Sequence, residues 1–344
     1  MTKRYLITGG AGFIGCNYVH RLLDRGEQVV VFDNLSRSGT ETNVAWLREE
    51  HGAESFELIV ADVRDAGALA GAARGVDVIV HLAGQTAVTT SVADPRYDFE
   101  TNVLGTFNAL EAARQADTNP IFLYASTNKV YGGMDEVGVV ERETRYDYRD
   151  LPLGIPETQP LDFHSPYGCS KGAGDQYVRD YARIYGLPTV VLRQSCIYGP
   201  RQMGVEDQGW VAWLIIAAVS GQPITIYGDG KQIRDVLFVD DLVDVYDAAI
   251  AHIDVAAGQV YNVGGGPART MSVWVEFGPI LERLLGHSVP VSYDDWRPGD
   301  QRVYISDIRK SQRELGWQPR VEVSEGVRRL YDWVVANLDL FDDM

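Results

Sequence analysis

Six short runs rich in Val, Ile and Leu, separated by stretches with helical spacing, constrain this chain more than any other feature. They are Arg4 to Thr8, Gln28 to Asp33, Phe56 to Ala61, Asp77 to Leu82, Pro120 to Ser126 and Thr189 to Arg193. They lack the apolar/polar alternation of a half-exposed strand, so each is expected to be buried on both faces, as in a parallel sheet covered by helices. Asn102 to Arg114 and Tyr167 to Tyr185 carry the helical period between them. The expected fold is α/β with a doubly wound parallel sheet.

A glycine-rich turn, Thr8-Gly9-Gly10-Ala11-Gly12-Phe13-Ile14-Gly15, lies between the first strand and the first helix. Glycines at 9, 12 and 15 let the chain turn tightly, bring backbone amides close to a pyrophosphate and seat the helix against the sheet. An acid follows at Asp33, 18 residues after Gly15, which completes the dinucleotide pattern of a Rossmann domain. At the end of the second strand its carboxylate would accept bonds from ribose hydroxyls and repel a 2′-phosphate, favouring NAD over NADP. Arg37 works in the opposite sense, since a guanidinium can hold such a phosphate. Asp62 and Leu82-Ala83-Gly84 follow the third and fourth strands, at the sheet edge where such folds place ligands. Asp62 reads equally as a helix cap.

Beyond Arg193 the pattern loosens into aromatic and Gly/Pro-rich loops and an acidic helical tail. The segments near Val236 and near Val260 again look like members of the first sheet. The expected division is therefore discontinuous: residues 1–193 plus about 235–263 as the NAD-binding domain, and about 194–234 plus 264–344 as a smaller α/β substrate-binding domain.

Ser165-Pro166 reads as a helix cap followed by a first-turn proline, which puts Tyr167 in the first turn and Lys171 one turn later on the same face. A phenol becomes a base near neutrality only beside positive charge, which Lys171, the helix N-terminus and an oxidised nicotinamide could supply. Thr127, at the end of the fifth strand, can offer a hydroxyl to the same substrate oxygen.

The formal charge of -17, from 31 basic and 48 acidic residues, argues against nucleic acid and anionic membrane as partners. An anionic substrate would have to be held by local cations. Three cysteines without metal-ligand spacing, and no signal-peptide pattern before the first strand, point to a reducing cytoplasm and to no metal.

Taken together, Thr8 to Gly15, His81 to Gly84, Tyr167 to Lys171, Tyr198-Gly199-Pro200 and Asp300 to Val303 resemble the extended short-chain dehydrogenase/reductase family along essentially the whole chain. The resemblance implies Thr127, Tyr167 and Lys171 as the catalytic set. It implies NAD held by Gly9, Gly12, Phe13, Ile14, Gly15, Asp33, Asn34, Ser36, Arg37, Asp62, Val63, Leu82, Ala83, Gly84, Asn102, Ala125, Ser126, Tyr167 and Lys171. A nucleotide-diphosphate sugar, CDP- or GDP-linked, is the implied substrate, and a homodimer or homotetramer the implied assembly. Dehydratases of that family carry an acid directly after the catalytic Ser/Thr. Here Asn128 and Lys129 stand there, and neither can protonate a leaving hydroxyl as a carboxylic acid does.

The remaining chemistry is oxidation of an alcohol and return of the hydride to the other face, an epimerisation. Tyr124 to Gly132, Glu143 to Tyr146, Leu161 to Lys171 and Asp207 to Trp210 are similar to the 2-epimerases of the family that act on CDP-linked sugars. A 4-epimerase of UDP-sugars and a catalytically silent NAD sensor are the alternative readings. Arg201, Arg234 and Arg302 are candidates for the diphosphate, since guanidinium forks bind phosphate oxygens at two points. Gln85, Thr86, Thr127, Asn128, His164 and Gln208 are candidates for the sugar side. Cys196 is read either as an acid/base or as a small buried thiol, and His164 either as a sugar ligand or as a structural hydrogen-bonder.

Overall fold

The computed structural model describes residues 2–297 and 300–341. Residues 298–299 and 342–344, at the far end of the expected second domain, lie outside the described residues. Strands β1 (Arg4–Thr8), β2 (Gln28–Asp33), β3 (Glu57–Val60), β4 (Val78–His81) and β5 (Ile121–Thr127) form, with Thr189–Gln194 and Gln259–Val263, one seven-stranded sheet. Its order is Gln259–Val263, Thr189–Gln194, β5, β4, β1, β2, β3, and every pairing is parallel. The order reverses between β1 and β4, so the crevice at their carboxyl ends is where this architecture binds a ligand.

Both faces of the sheet are apolar because both are covered. On one side α1 (Phe13–Asp24), α2 (Thr40–His51) and the helix Val239–Ala251 enclose Ile7, Val31, Val80, Leu192 and Tyr246. On the other, α3 (Ala66–Ala72), Gly105–Gln115 and Ser165–Tyr185 enclose Leu6, Phe32, Ile79, Phe122 and Val191.

The chain then builds a second core around the helix Trp210–Val219, the helix Phe277–Leu285 and the helix Val323–Ala336. Its central strand is Ile233–Phe238, which pairs with Thr270–Ser272, Val303–Tyr304 and Cys196–Tyr198. This corrects one expectation. The strand near Val236 belongs to the smaller sheet, because its partners come from the loosely patterned half of the chain. The strand near Val260 is the edge of the large sheet, as expected.

Candidate active site

The cofactor turn owes its path to contacts that only glycine permits. Gly9 has φ +70, and a Cβ there would lie 2.7 Å from the backbone nitrogen of Ala83. At Gly15 a Cβ would stand 2.2 Å from the Gly9 carbonyl oxygen. Gly12 caps α1 without a side chain, so the N–H groups of the first turn are left to an anion in the crevice. A cleft of about 380 Å³ opens there. It is lined by Gly9, Gly12, Phe13, Ile14 and Gly15 of the turn, by Asp33, Asn34, Ser36 and Arg37 after β2, and by Asp62 and Val63 after β3. From β4 onward Leu82, Ala83, Gly84, Gln85 and Thr86 contribute, with Ala125 and Ser126 from β5, and Tyr167, Lys171 and Gln208. These residues fit a dinucleotide: an anion cradle at one end, an acid beside it, and a phenol and an ammonium at the other end.

Asp33 accepts hydrogen bonds from the N–H groups of Ala11 (3.1 Å) and Leu35 (2.9 Å). Burial nonetheless raises its carboxyl above the ordinary value. Asp62 is not a helix cap; Asp65 caps α3, accepting from Ala68. Asp62 is held by Arg64 through two guanidinium bonds of 2.9 Å and by the Asn34 amide at 2.9 Å, and the Arg64 hydrogen bonds draw its carboxyl down to about 2. Arg37, whose charge acts on Asp33, reaches across the mouth: it donates to the Thr86 hydroxyl at 2.9 Å and to the Gln208 side-chain carbonyl. Asn102 stands behind the cleft. It clamps the Gln85 backbone, accepting its N–H at 2.9 Å and donating to its carbonyl at 3.0 Å.

Helix Ser165–Tyr185 places Tyr167 and Lys171, the expected catalytic pair. Ser165 (φ +67) accepts the Gly168 N–H at 3.2 Å, the bond its capping role requires, and Pro166 follows in the first turn. Tyr167 and Lys171 are both buried, on the face turned to the sheet. The Thr127 hydroxyl, which donates to the Asn128 side-chain oxygen and accepts the Lys129 N–H, is near enough to the Tyr167 phenol to lower its proton affinity. Burial raises that phenol to about 12, opposed by Thr127 and by the charge of Arg37. Lys171 lies over the Tyr124 ring, 4.4 Å from its centroid, and burial lowers its ammonium to about 8 against the pull of Asp98 and Asp175. Arg37, which the sequence placed at the adenosine end, acts on this phenol as well as on Asp33.

A buried network behind the pair was not legible in the sequence. Asp175, on the same helix, accepts from Ser126 at 2.8 Å and from two nitrogens of Arg193 at 2.8 and 3.0 Å. Arg193 also donates to the Tyr131 phenol, which donates to Asn262. The available hint was an arginine following the apolar run Val190-Val191-Leu192.

The substrate candidates divide. Asn128 is buried beside Thr127, whose hydroxyl is 3.3 Å from its side-chain oxygen. Arg234 pairs with Asp300 at 2.6 Å, and its charge acts on both Lys129 and Cys196. Burial raises the Cys196 thiol, which favours the inert reading. Arg302 is exposed, its guanidinium over the rings of Tyr146 (5.3 Å) and Trp296 (5.6 Å). His164 is also exposed. None of these lines the 380 Å³ cleft. Arg201 is the candidate the geometry removes: its guanidinium is stacked on Trp46 (4.1 Å) and Trp333 (5.8 Å). Lining residues missed in the sequence include Tyr97, Thr90 and Gln194, whose positions on short helices and strand ends carry no motif.

A family model described as GDP-mannose 4,6 dehydratase matches residues 6–330. The chain belongs to the NAD-dependent nucleotide-sugar epimerase/dehydratase family. It is 44% identical over 337 residues to CDP-paratose 2-epimerase of Salmonella typhi, covering 96% of this chain and 98% of that one. UDP-glucose 4-epimerase of Thermotoga maritima, solved with UDP-glucose, superposes with a TM-score of 0.83 at 30% identity, covering 97% of this chain and 99% of that one. A dTDP-glucose 4,6-dehydratase double mutant of Streptomyces venezuelae, solved with NAD, gives 0.83 at 32% identity and 98% of both chains. NAD is the cofactor of this family, and the cleft described above is built for it. Among the described residues no helix is long and apolar enough to cross a membrane.

Proposed function

We propose that this protein is a nucleotide-sugar 2-epimerase acting on CDP-linked sugars of the paratose and tyvelose type, with GDP- or other CDP-linked hexoses as further candidates. The observation that carries the reading is the end of β5. The Thr127 hydroxyl acts on the neighbouring Tyr167 phenol, both are buried, and the next two positions hold an amide, Asn128, and an ammonium, Lys129. Such a site can hold and return an alcohol proton but offers no carboxylic acid at Asn128 or Lys129 to expel a hydroxyl. NAD, when bound, accepts and returns the hydride. Tyr167 takes the carbon 2 hydroxyl proton and gives it back, Thr127 orients that oxygen, and the sugar turns within the site between the two transfers. The similarity to the Salmonella typhi enzyme supports carbon 2.

Similarity to the Thermotoga maritima enzyme keeps one other reading, a UDP-sugar 4-epimerase. A panel of CDP-, GDP- and UDP-sugars followed by NMR separates the two. Substrate deuterated at carbon 2 is expected to give product that keeps the label in ordinary water. Washout would sink the hydride route in favour of an enolate, a route the protonated Cys196 thiol does not favour.

In this reading the large sheet holds the cofactor, and Arg234 and Arg302 face the diphosphate from the smaller sheet. Exposed apolar residues on neighbouring helices, Phe107, Tyr177 and Ile184, support a homodimer. Ile184→Glu is expected to shift the sedimentation mass toward the monomer. The three free thiols fit a reducing cytoplasm.

A further inference from the structure

Away from the cleft, His20, Asp24 and His51 meet where the last turn of α1 passes the end of α2. His20 and Asp24 are one helical turn apart on α1, and His51 is the last residue of α2. The two imidazoles share a hydrogen bond, His20 Nδ1 to His51 Nε2, at 2.7 Å. The Asp24 carboxylate lies 3.5 Å from His20 Nε2 and 3.9 Å from His51 Nδ1. One donor atom from each side chain can be chosen so that all three fall within 4.8 Å of one another. We propose that these three residues form a binding site for a divalent transition ion of the zinc class.

The chemistry of the donors fits. Metal–ligand bonds of about 2.0–2.2 Å put neighbouring donors of a tetrahedral ion roughly 3.3–3.5 Å apart. The His20–Asp24 spacing already has that value, and His51 has only to turn toward it. Two facing nitrogens 2.7 Å apart cannot both carry a proton, so at least one presents a lone pair on the shared edge. The nitrogens an ion would take are the two that face Asp24, His20 Nε2 and His51 Nδ1, and the shared edge opens as the His51 ring turns. Water fills the fourth position, since Asp24 is exposed and both rings are half-buried.

The surrounding charges are mixed. Glu50 lies near His20 and favours a cation, whereas the Arg201 guanidinium opposes one. Arg201 is spread over the Trp46 ring at 4.1 Å, and that ring is 4.9 Å from the His20 ring. An imidazole ligates in its neutral form, so binding competes with protonation of the two histidines. The ion would tie α1, whose first turn faces the cofactor, to the end of α2.

The test uses the full chain loaded with NAD and stripped of metal by a chelator. Zinc chloride is titrated by calorimetry, and cobalt chloride by the visible absorption of a tetrahedral site. One ion per chain is expected, with affinity falling as pH drops through the imidazole range. His20→Gln and His51→Gln should each weaken binding by about 10-fold or more, and zinc should raise the melting temperature of the wild type alone. Should either histidine variant fail to fold, Asp24→Asn, at an exposed position, carries the same expectation. Equal binding by wild type and variants, or no one-to-one binding by the wild type, overturns the proposal.

Discussion

Replacing Lys171 by methionine should make the NAD-free protein more stable while making the enzyme worse. The ammonium is buried over the Tyr124 ring, and burial brings it from 10.5 to about 8. At about 1.4 kcal/mol for each tenfold change, that fall is a cost of about 3 kcal/mol for keeping the charged form in the folded state at pH 7. Methionine keeps the unbranched stem and removes the charge. It loses a cation–π contact worth about 1–2 kcal/mol, so a net gain of about 1–2 kcal/mol is expected.

The pH dependence gives a second handle on the same residue. With the folded value below the unfolded one, the unfolded chain binds more protons between about pH 8 and 10.5. Wild-type stability therefore gains a rising contribution from Lys171 across that window. The variant should lack that rise. Urea unfolding followed by tryptophan fluorescence at pH 7, 8 and 9 measures both effects, and turnover and NAD affinity should fall in parallel. A variant less stable than wild type at pH 7, or one with the same slope above pH 8, would refute the reasoning.

Tyr167→Phe removes the group proposed to move the alcohol proton and should cost about 10²-fold or more in turnover with folding and NAD binding retained; near-native turnover would show that the phenol is not the base. Asp33→Ser should narrow the preference for NAD over NADP in a fluorescence titration, because it removes the carboxylate that repels a 2′-phosphate. Asp175→Asn leaves the Arg193 guanidinium without its buried counter-charge and should cost about 3–5 kcal/mol, read as a fall in the urea midpoint.

Where packing followed directly from local pattern, the sequence was a sound guide. β1 and β2 fall where their apolar runs placed them, residue for residue, because a strand buried on both faces has no freedom to carry polar positions. The glycine turn was readable for a related reason, since contacts of 2.2 and 2.7 Å leave no other residue type at Gly15 and Gly9. Long side chains were another matter. Arg37 and Arg201 lie on segments near the cleft, yet one bridges to Gln208 and the other stacks on Trp46 and Trp333, partners distant in sequence. The Asp175–Arg193 pair depends on the crossing of a helix and a strand that no local pattern encodes. The strand Ile233–Phe238 misled because a fully buried strand looks the same in either sheet.

The position of Gln259–Val263 at the rim of the large sheet bears on how the molecule is made. Until that segment leaves the ribosome, Thr189–Gln194, every residue of which is buried in the finished protein, presents an open apolar edge ready to pair with another chain. Ending the chain at residue 193 leaves this edge bare. Ending it at 263 seals the edge but includes Ile233–Phe238 without Thr270–Ser272 and Val303–Tyr304. The large sheet is complete only once residue 263 has been made and the smaller one only after Val303–Tyr304, so both sheets wait on the C-terminal third of the chain, and until then the open edge is exposed to pairing with other chains.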